Sequence, residues 1–173
     1  MSTLTITLSK ASVVEAIKGD TYITSSIDRG ADSVKNAGIA YNEAAGDDTY
    51  HEKKIDRLIK GAVSKFAAEL AEFVDTSSGS ISITIPSTSS GNIVITATVT
   101  SRYQSGLADP LSGIALEYIV NMGIYGWWIS IKPDMAKNFA ALAADSLVYL
   151  RKCFAKTAPT STASATSATG SVS

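Results

Sequence analysis

A proline at position 133 constrains this chain more than any other single residue. The stretch Leu107–Phe154, LADPLSGIALEYIVNMGIYGWWISIKPDMAKNFAALAADSLVYLRKCF, is helical in pattern on both sides of it. A proline in a helix interior removes a hydrogen bond and clashes with the preceding turn, so one unbroken helix is excluded. The remaining solution is two helices joined at the proline. The first takes Asp109 as N-cap and Pro110 at its first helical position, which suits both residues. Apolar side chains follow at Leu111, Ile114, Ala115, Tyr118, Ile119 and Met122, a helical period, and then the cluster Tyr125, Trp127, Trp128. The second helix opens at Pro133, with Asp134 at the positive end of its dipole. Met135, Phe139, Leu142, Ser146, Tyr149, Leu150 and Cys153 mark one face of it.

The clearest helix of the chain lies earlier, over residues 47–75. Asp47 or Asp48 caps it, and Thr49 with Glu52 has capping-box spacing. Ile55, Leu58, Ile59, Ala62, Val63, Phe66, Leu70, Phe73 and Val74 form an i, i+3, i+4, i+7 stripe. At ~1.5 Å per residue this helix is about 40 Å long, which is long for a small domain. Ile59, Phe66, Leu70, Ile119, Leu142 and Leu150 are expected to share one core.

Two β signals complete the pattern. Residues 80–100 read as a hairpin: Ile81, Ile83 and Ile85 alternate with small hydroxyl residues, and Ile93, Ile95, Ala97 and Val99 alternate on the return. Pro86 ends the first strand and STSSGN supplies the turn. A two-stranded hairpin is marginal alone, so its apolar face must lie on the helices or on a neighbouring subunit. Residues 2–8 also alternate, with Leu4, Ile6 and Leu8 set against threonines; as a strand, this segment needs a partner distant in sequence or in another subunit. Ser12 and Glu15 have capping-box spacing for a short helix ending near Gly19. Residues 19–47, with Gly30, Gly38 and Gly46, are expected to be broken helical turns and loop.

The expected fold is therefore mainly α (α+β): a helical bundle with a long central helix, an inserted β-hairpin and extended N- and C-terminal arms. Residues 1–11 form the N-terminal arm or strand, 12–156 the helical domain, and 157–173 a low-complexity arm. That last stretch, TAPTSTASATSATGSVS, has no charged side chain and too little apolar surface to fold by itself. Its expected place is on an adjacent chain.

Function classes narrow by subtraction. With 173 residues the chain is long enough for one domain with a real core. A net charge of −1 gives no global electrostatic case for nucleic acid. The N-terminus lacks a signal-peptide pattern, and the longest apolar run, Ile114–Ile131, is interrupted by Glu117, Asn121 and two glycines. No membrane span is expected, and the chain should be made in a cytoplasm. Cys153 is the only cysteine and His51 the only histidine. A metal site at His51 would lack a second His or Cys ligand, and no nucleophile motif accompanies it. Both residues are expected to be functionally silent, with no catalytic residue, metal or cofactor.

Two binding features remain. Lys53, Lys54, Arg57 and Lys60, with Lys65, could face phosphate, but Glu52, Asp56 and Glu69 interleave with them at i,i+3 and i,i+4 distances, the pattern of a solvated salt-bridged face. Trp127 and Trp128 point about 100° apart on a helix, so one of them is expected to meet another subunit. The subunit contacts are placed at Trp127, Trp128, Ile81, Ile83, Ile85, Ile93 and Ile95, and at the arm from Thr157 to Ser173.

In element order the chain resembles the head–tail connector (adaptor) proteins of tailed bacteriophages, with a Thr-rich style similar to virion proteins of crAss-like phages. The residues carrying the resemblance are Asp47 and Asp48 leading into Ile55, Leu58, Ile59 and Ala62, then Pro110, Ile114, Tyr118, Trp127 and Trp128. The resemblance spans roughly Ser12–Phe154. It implies a non-enzymatic virion ring subunit, commonly twelve-fold. Such a ring joins portal to tail, contacts other neck proteins, and surrounds a DNA channel that Lys53, Lys54, Arg57 and Lys60 could line non-specifically. The alternative from another class is a small helical binding module that could associate with DNA, with no catalytic activity.

Overall fold

The computed structural model describes residues 2–28, 43–74, 79–88, 90–99 and 108–155. Their elements are β1 (Ser2–Ser9), α1 (Lys10–Asp28), α2 (Thr49–Leu70) with a 3-10 turn at Ala71–Phe73, β2 (Ile81–Thr84), β3 (Asn92–Val99), α3 (Ala108–Trp128) and α4 (Pro133–Ala155). The fold is mainly helical with one small antiparallel sheet, as the patterning predicts.

The sheet order is β1-β3-β2. The N-terminal strand therefore finds its distant partner within the chain: Leu4 pairs with Ala97, Ile6 with Ile95 and Leu8 with Ile93. It is an edge strand, not a free arm. Because directly paired residues share a face, these six side chains form one apolar surface, and all six are buried. Thr3, Thr5 and Thr7 point outward. The hairpin lays its inner face on its own helices, so Ile93 and Ile95, placed at a subunit contact by the sequence, are core residues at 0% exposure.

The helix at the centre is α3, not α2. It packs against α1, α2, α4 and β1. The reason is visible in its composition: Asp109 and Glu117 are its only charged residues, whereas α2 is apolar on one stripe alone. Two glycines let neighbours approach α3 closely. A Cβ built on Gly123 would lie 2.5 Å from Ile17 Cδ1 of α1, and one on Gly126 would lie 2.5 Å from Leu58 Cδ2 of α2.

Three further expectations are corrected. α1 does not stop near Gly19 but runs to Asp28, and its N-terminus is held by Ser9, whose Oγ accepts from the Ser12 N–H at 3.3 Å. A lone exposed glycine costs a helix only about 1 kcal/mol, which the burial of Ile17, Thr21 and Ser25 on one side outweighs. α2 is capped by Asp48 rather than by a Thr49–Glu52 box: Asp48 Oδ1 accepts from the Tyr50 and His51 N–H groups at 2.9 and 3.0 Å. On α4 the buried line is Ala136, Ala143, Ser146 and Leu150, while Leu142 is 50% and Tyr149 56% exposed. Small residues face the core because α4 lies close against α3, and the larger Leu142 and Tyr149 are turned outward. At its end, Phe154 stacks on Phe73 at 4.3 Å and Arg151 reaches Glu69 at 3.1 Å, which ties α4 to the end of α2.

Candidate functional site

The N-terminal turns of α2 bring together Asp48, His51 and Lys54 with Trp127 of α3. Asp48 is drawn below the usual carboxylate range, first by the His51 backbone N–H that it accepts and also by the His51 ring and the Tyr50 N–H. The ring of His51 has two competing neighbours on one atom. The Gly46 N–H donates to Nδ1 at 2.9 Å, while Asp48 Oδ2 lies 2.7 Å from the same nitrogen. Nδ1 accepts from Gly46 when it carries no proton and donates to Asp48 when it does. The ring also meets Trp127 edge-on at 4.9 Å. His51 is thus a helix-start residue built into the packing.

Trp127 and Trp128 are both buried within the chain, at 2% and 0% exposure, so the expectation that one of them meets another subunit fails. The 100° between them is absorbed because core surrounds the end of α3. Trp127 turns toward α2 and the segment before it: its Nε1 donates to the Glu43 carbonyl at 3.0 Å, and the Lys54 ammonium lies 4.0 Å from its ring centroid. Trp128 Nε1 has no hydrogen-bond partner among the described residues, and Lys132 lies 5.6 Å from its ring.

The basic stripe divides by chemistry. Lys54 is spent on Trp127, and burial lowers its ammonium's pKa, with the Arg57 charge adding to the shift. Lys60 pairs with Asp56 at 2.8 Å. Lys53 and Arg57 are exposed. Of the four residues placed at a DNA channel, Lys54 is drawn into the packing, while Lys60 pairs with Asp56 at the surface.

Beside this stripe the hairpin turn meets the helices. Lys10, at the start of α1, is buried, yet its ammonium lies 2.6 Å from Asp56 Oδ1 and donates to the Pro86 carbonyl at 2.7 Å. Burial alone would raise the Asp56 carboxyl, but hydrogen bonds from Lys10 and Lys60 outweigh it and hold its pKa below the ordinary value. The pair lines a cleft of about 610 Å³ together with Glu15, Lys18, Glu52, Lys53 and Ser87. Lys18 is tied to Asp47 at 2.5 Å. The cleft sets cations, carboxylates and the hydroxyls of Ser87 and Ser90 side by side. Among the described residues no group of three or more His, Cys, Asp or Glu could hold a metal ion, and no helix is long and apolar enough to cross a membrane.

The sheet edge is more open. β2 covers only Val94–Ala97 of the eight-residue β3. Ile83 is 40% exposed, and Ile81 and Ile85 are half-buried. Thr157 and Ser173, the ends of the proposed arm contact, lie outside the described residues. The sequence reading passed over Lys10: one lysine at a strand–helix junction carries no signal until Asp56 and Pro86 are brought to it. No family model, no curated protein and no solved structure matches this chain.

Proposed function

We propose that this protein is a structural subunit of a head–tail connector ring in the virion of a tailed bacteriophage, with no catalytic role. The observation that carries the reading is the placement of the connector-like residues. Ile55, Ile59 and Ala62 are buried on the inner face of α2. Tyr118, Trp127 and Trp128 are buried on α3, against which α2 packs. The hairpin is inserted between these two helices. The apolar members of the connector-like set, apart from the exposed Pro110, therefore pack in one core, and the surface is left for assembly.

The open β2 edge supports the same reading, because unpaired strand edges invite pairing with another chain. In such a ring Lys53 and Arg57, with the exposed Lys60 and Lys65, are the members of the basic stripe that face outward to meet DNA phosphates, without sequence preference. Native mass measurement and electron microscopy of the purified protein, alone and with the portal of its phage, test the proposal. The expected result with the portal is a ring of discrete mass near twelve chains with a central opening. A protein that stays monomeric or dimeric under both conditions contradicts it.

A further inference from the structure

The outward face of α4 mixes its charges with large apolar side chains, which a bundle helix normally turns inward. Leu142, Val148 and Tyr149 are 50%, 46% and 56% exposed, and Ala141 and Ala144 lie exposed among them. Large side chains clustered on an exposed helix face mark an interaction surface more often than scattered single ones do.

The charges on this face are arranged around a centre. Asp145 and Lys152 stand at equal distances on either side of the midpoint between Val148 and Tyr149. That distance is three and a half residues, or about 5 Å along the axis. Asp145 makes no ion pair among the described residues. Lys152 has no carboxylate either; its ammonium rests on its own Tyr149 ring, 4.9 Å from the centroid. Arg151, next to it, already occupies Glu69 and Glu72.

We propose that a second copy of this chain docks on this face, α4 against α4, antiparallel, about a two-fold axis between Val148 and Tyr149. Antiparallel pairing puts each Asp145 opposite the partner's Lys152 and each Val148 against the partner's Tyr149. Parallel pairing would set Asp145 against Asp145 and Lys152 against Lys152, and is disfavoured. Ala144, a small exposed residue, leaves room for close approach of the helices. The stretch Thr157–Ser173 is a poor alternative occupant, because apart from Pro159 its only apolar side chain larger than alanine is Val172. The contact is isologous, the same patch on both copies, and so differs from the head-to-tail contacts that close a ring. It stands independently of the connector proposal.

Sedimentation equilibrium of the full chain tests it with two single substitutions at exposed positions, Asp145→Lys and Lys152→Asp, and circular dichroism checks that both fold. The wild type is expected to dimerise. Each variant alone should bind itself at least about tenfold more weakly, because like charges then face each other at both ends of the contact. An equimolar mixture of the two should recover dimers, since the two variants present opposite charges at both positions. Tyr149→Ser should weaken the dimer without any change of charge. A wild type that stays monomeric at millimolar concentration overturns the proposal, as do variants that dimerise like the wild type or a mixture that recovers nothing. A ring unaffected by all three substitutions sinks this contact and leaves the connector reading standing. A charge-dependent dimer that forms no ring with portal does the reverse.

Discussion

Lys10 Nζ and Asp56 Oδ1 meet at 2.6 Å, with the lysine side chain 3% exposed and the aspartate 28% exposed. The pair joins the first turn of α1 to the middle of α2, and the bond from Lys10 to the Pro86 carbonyl adds the hairpin to the same point. The two partners are not equivalent. Removing Asp56 leaves an ammonium buried with one carbonyl, whereas removing Lys10 leaves a carboxylate still paired with Lys60 and reached by water. Asp56→Asn should therefore cost about 3–5 kcal/mol, the range for a broken buried pair, and Lys10→Met about 1–3 kcal/mol. Urea titrations of the two variants measure the difference. Equal costs would show that the lysine is not held as tightly as its burial implies.

The same aspartate sets part of the acid limit of the fold. Its pKa is lowered in the folded protein, so its contribution is fully present above the unfolded value of about 3.9 and is lost as pH falls through the lower folded value. Thermal melts between pH 6 and about pH 2 should show the wild type losing stability below about pH 4. In Asp56→Asn that part of the slope should be shallower. An unchanged slope would assign acid sensitivity to other carboxylates.

Much of the fold was legible because burial follows period. The stripe on α2 as far as Leu70, the alternation in β3 and the break at Pro133 each leave one consistent solution, and the structure adopts it; the expected helix to residue 75 stops short, with Phe73 in a 3-10 turn and Val74 bridged to Val99. The failures share a cause. Trp127 and Trp128 looked divided between core and surface because a single helix was weighed without its neighbours, yet core wraps the end of α3. Leu142 looked buried because it is large, but the face of α4 that meets α3 is lined by Ala136, Ala143 and Ser146. Pairing between Lys10 and Asp56, 46 positions apart in the sequence, has no local signature. Of the candidate contact residues, Ile83 is 40% exposed at the β2 edge, whereas Ile93 and Ile95 belong to the core.

The corrected register of α4 has a direct consequence for stability. Leu150 is 1% exposed and should lose about 2–5 kcal/mol on conversion to alanine. Leu142, half exposed, should change by no more than about 0.5 kcal/mol, as surface positions usually do. Guanidinium unfolding of Leu150→Ala and Leu142→Ala, at concentrations where the chain is monomeric, separates the two. Similar losses at both sites would restore Leu142 to the core and discard the outward face described for α4.

Glycine substitutions probe how closely the helices approach α3. Gly61 and Gly113 lie exposed inside helices with nothing within 4 Å of an added Cβ, so alanine there should stabilise by about 0.5–1 kcal/mol through helix propensity and a less flexible unfolded chain. Gly123 and Gly126 face steric conflicts of equal distance, 2.5 Å, but the atoms met differ in freedom. Ile17 is fully buried and has no room to yield. Overpacking of about 1–3 kcal/mol at Gly123→Ala should then exceed the propensity gain of about 1 kcal/mol, and Tm should fall. Leu58 is half-buried and can swing toward solvent, so Gly126→Ala should come out near neutral. The order of melting temperatures, Gly61→Ala above wild type, Gly126→Ala beside it and Gly123→Ala below, is the outcome to check. A stabilised Gly123→Ala variant would mean that α1 sits further from α3 than the contact with Ile17 requires.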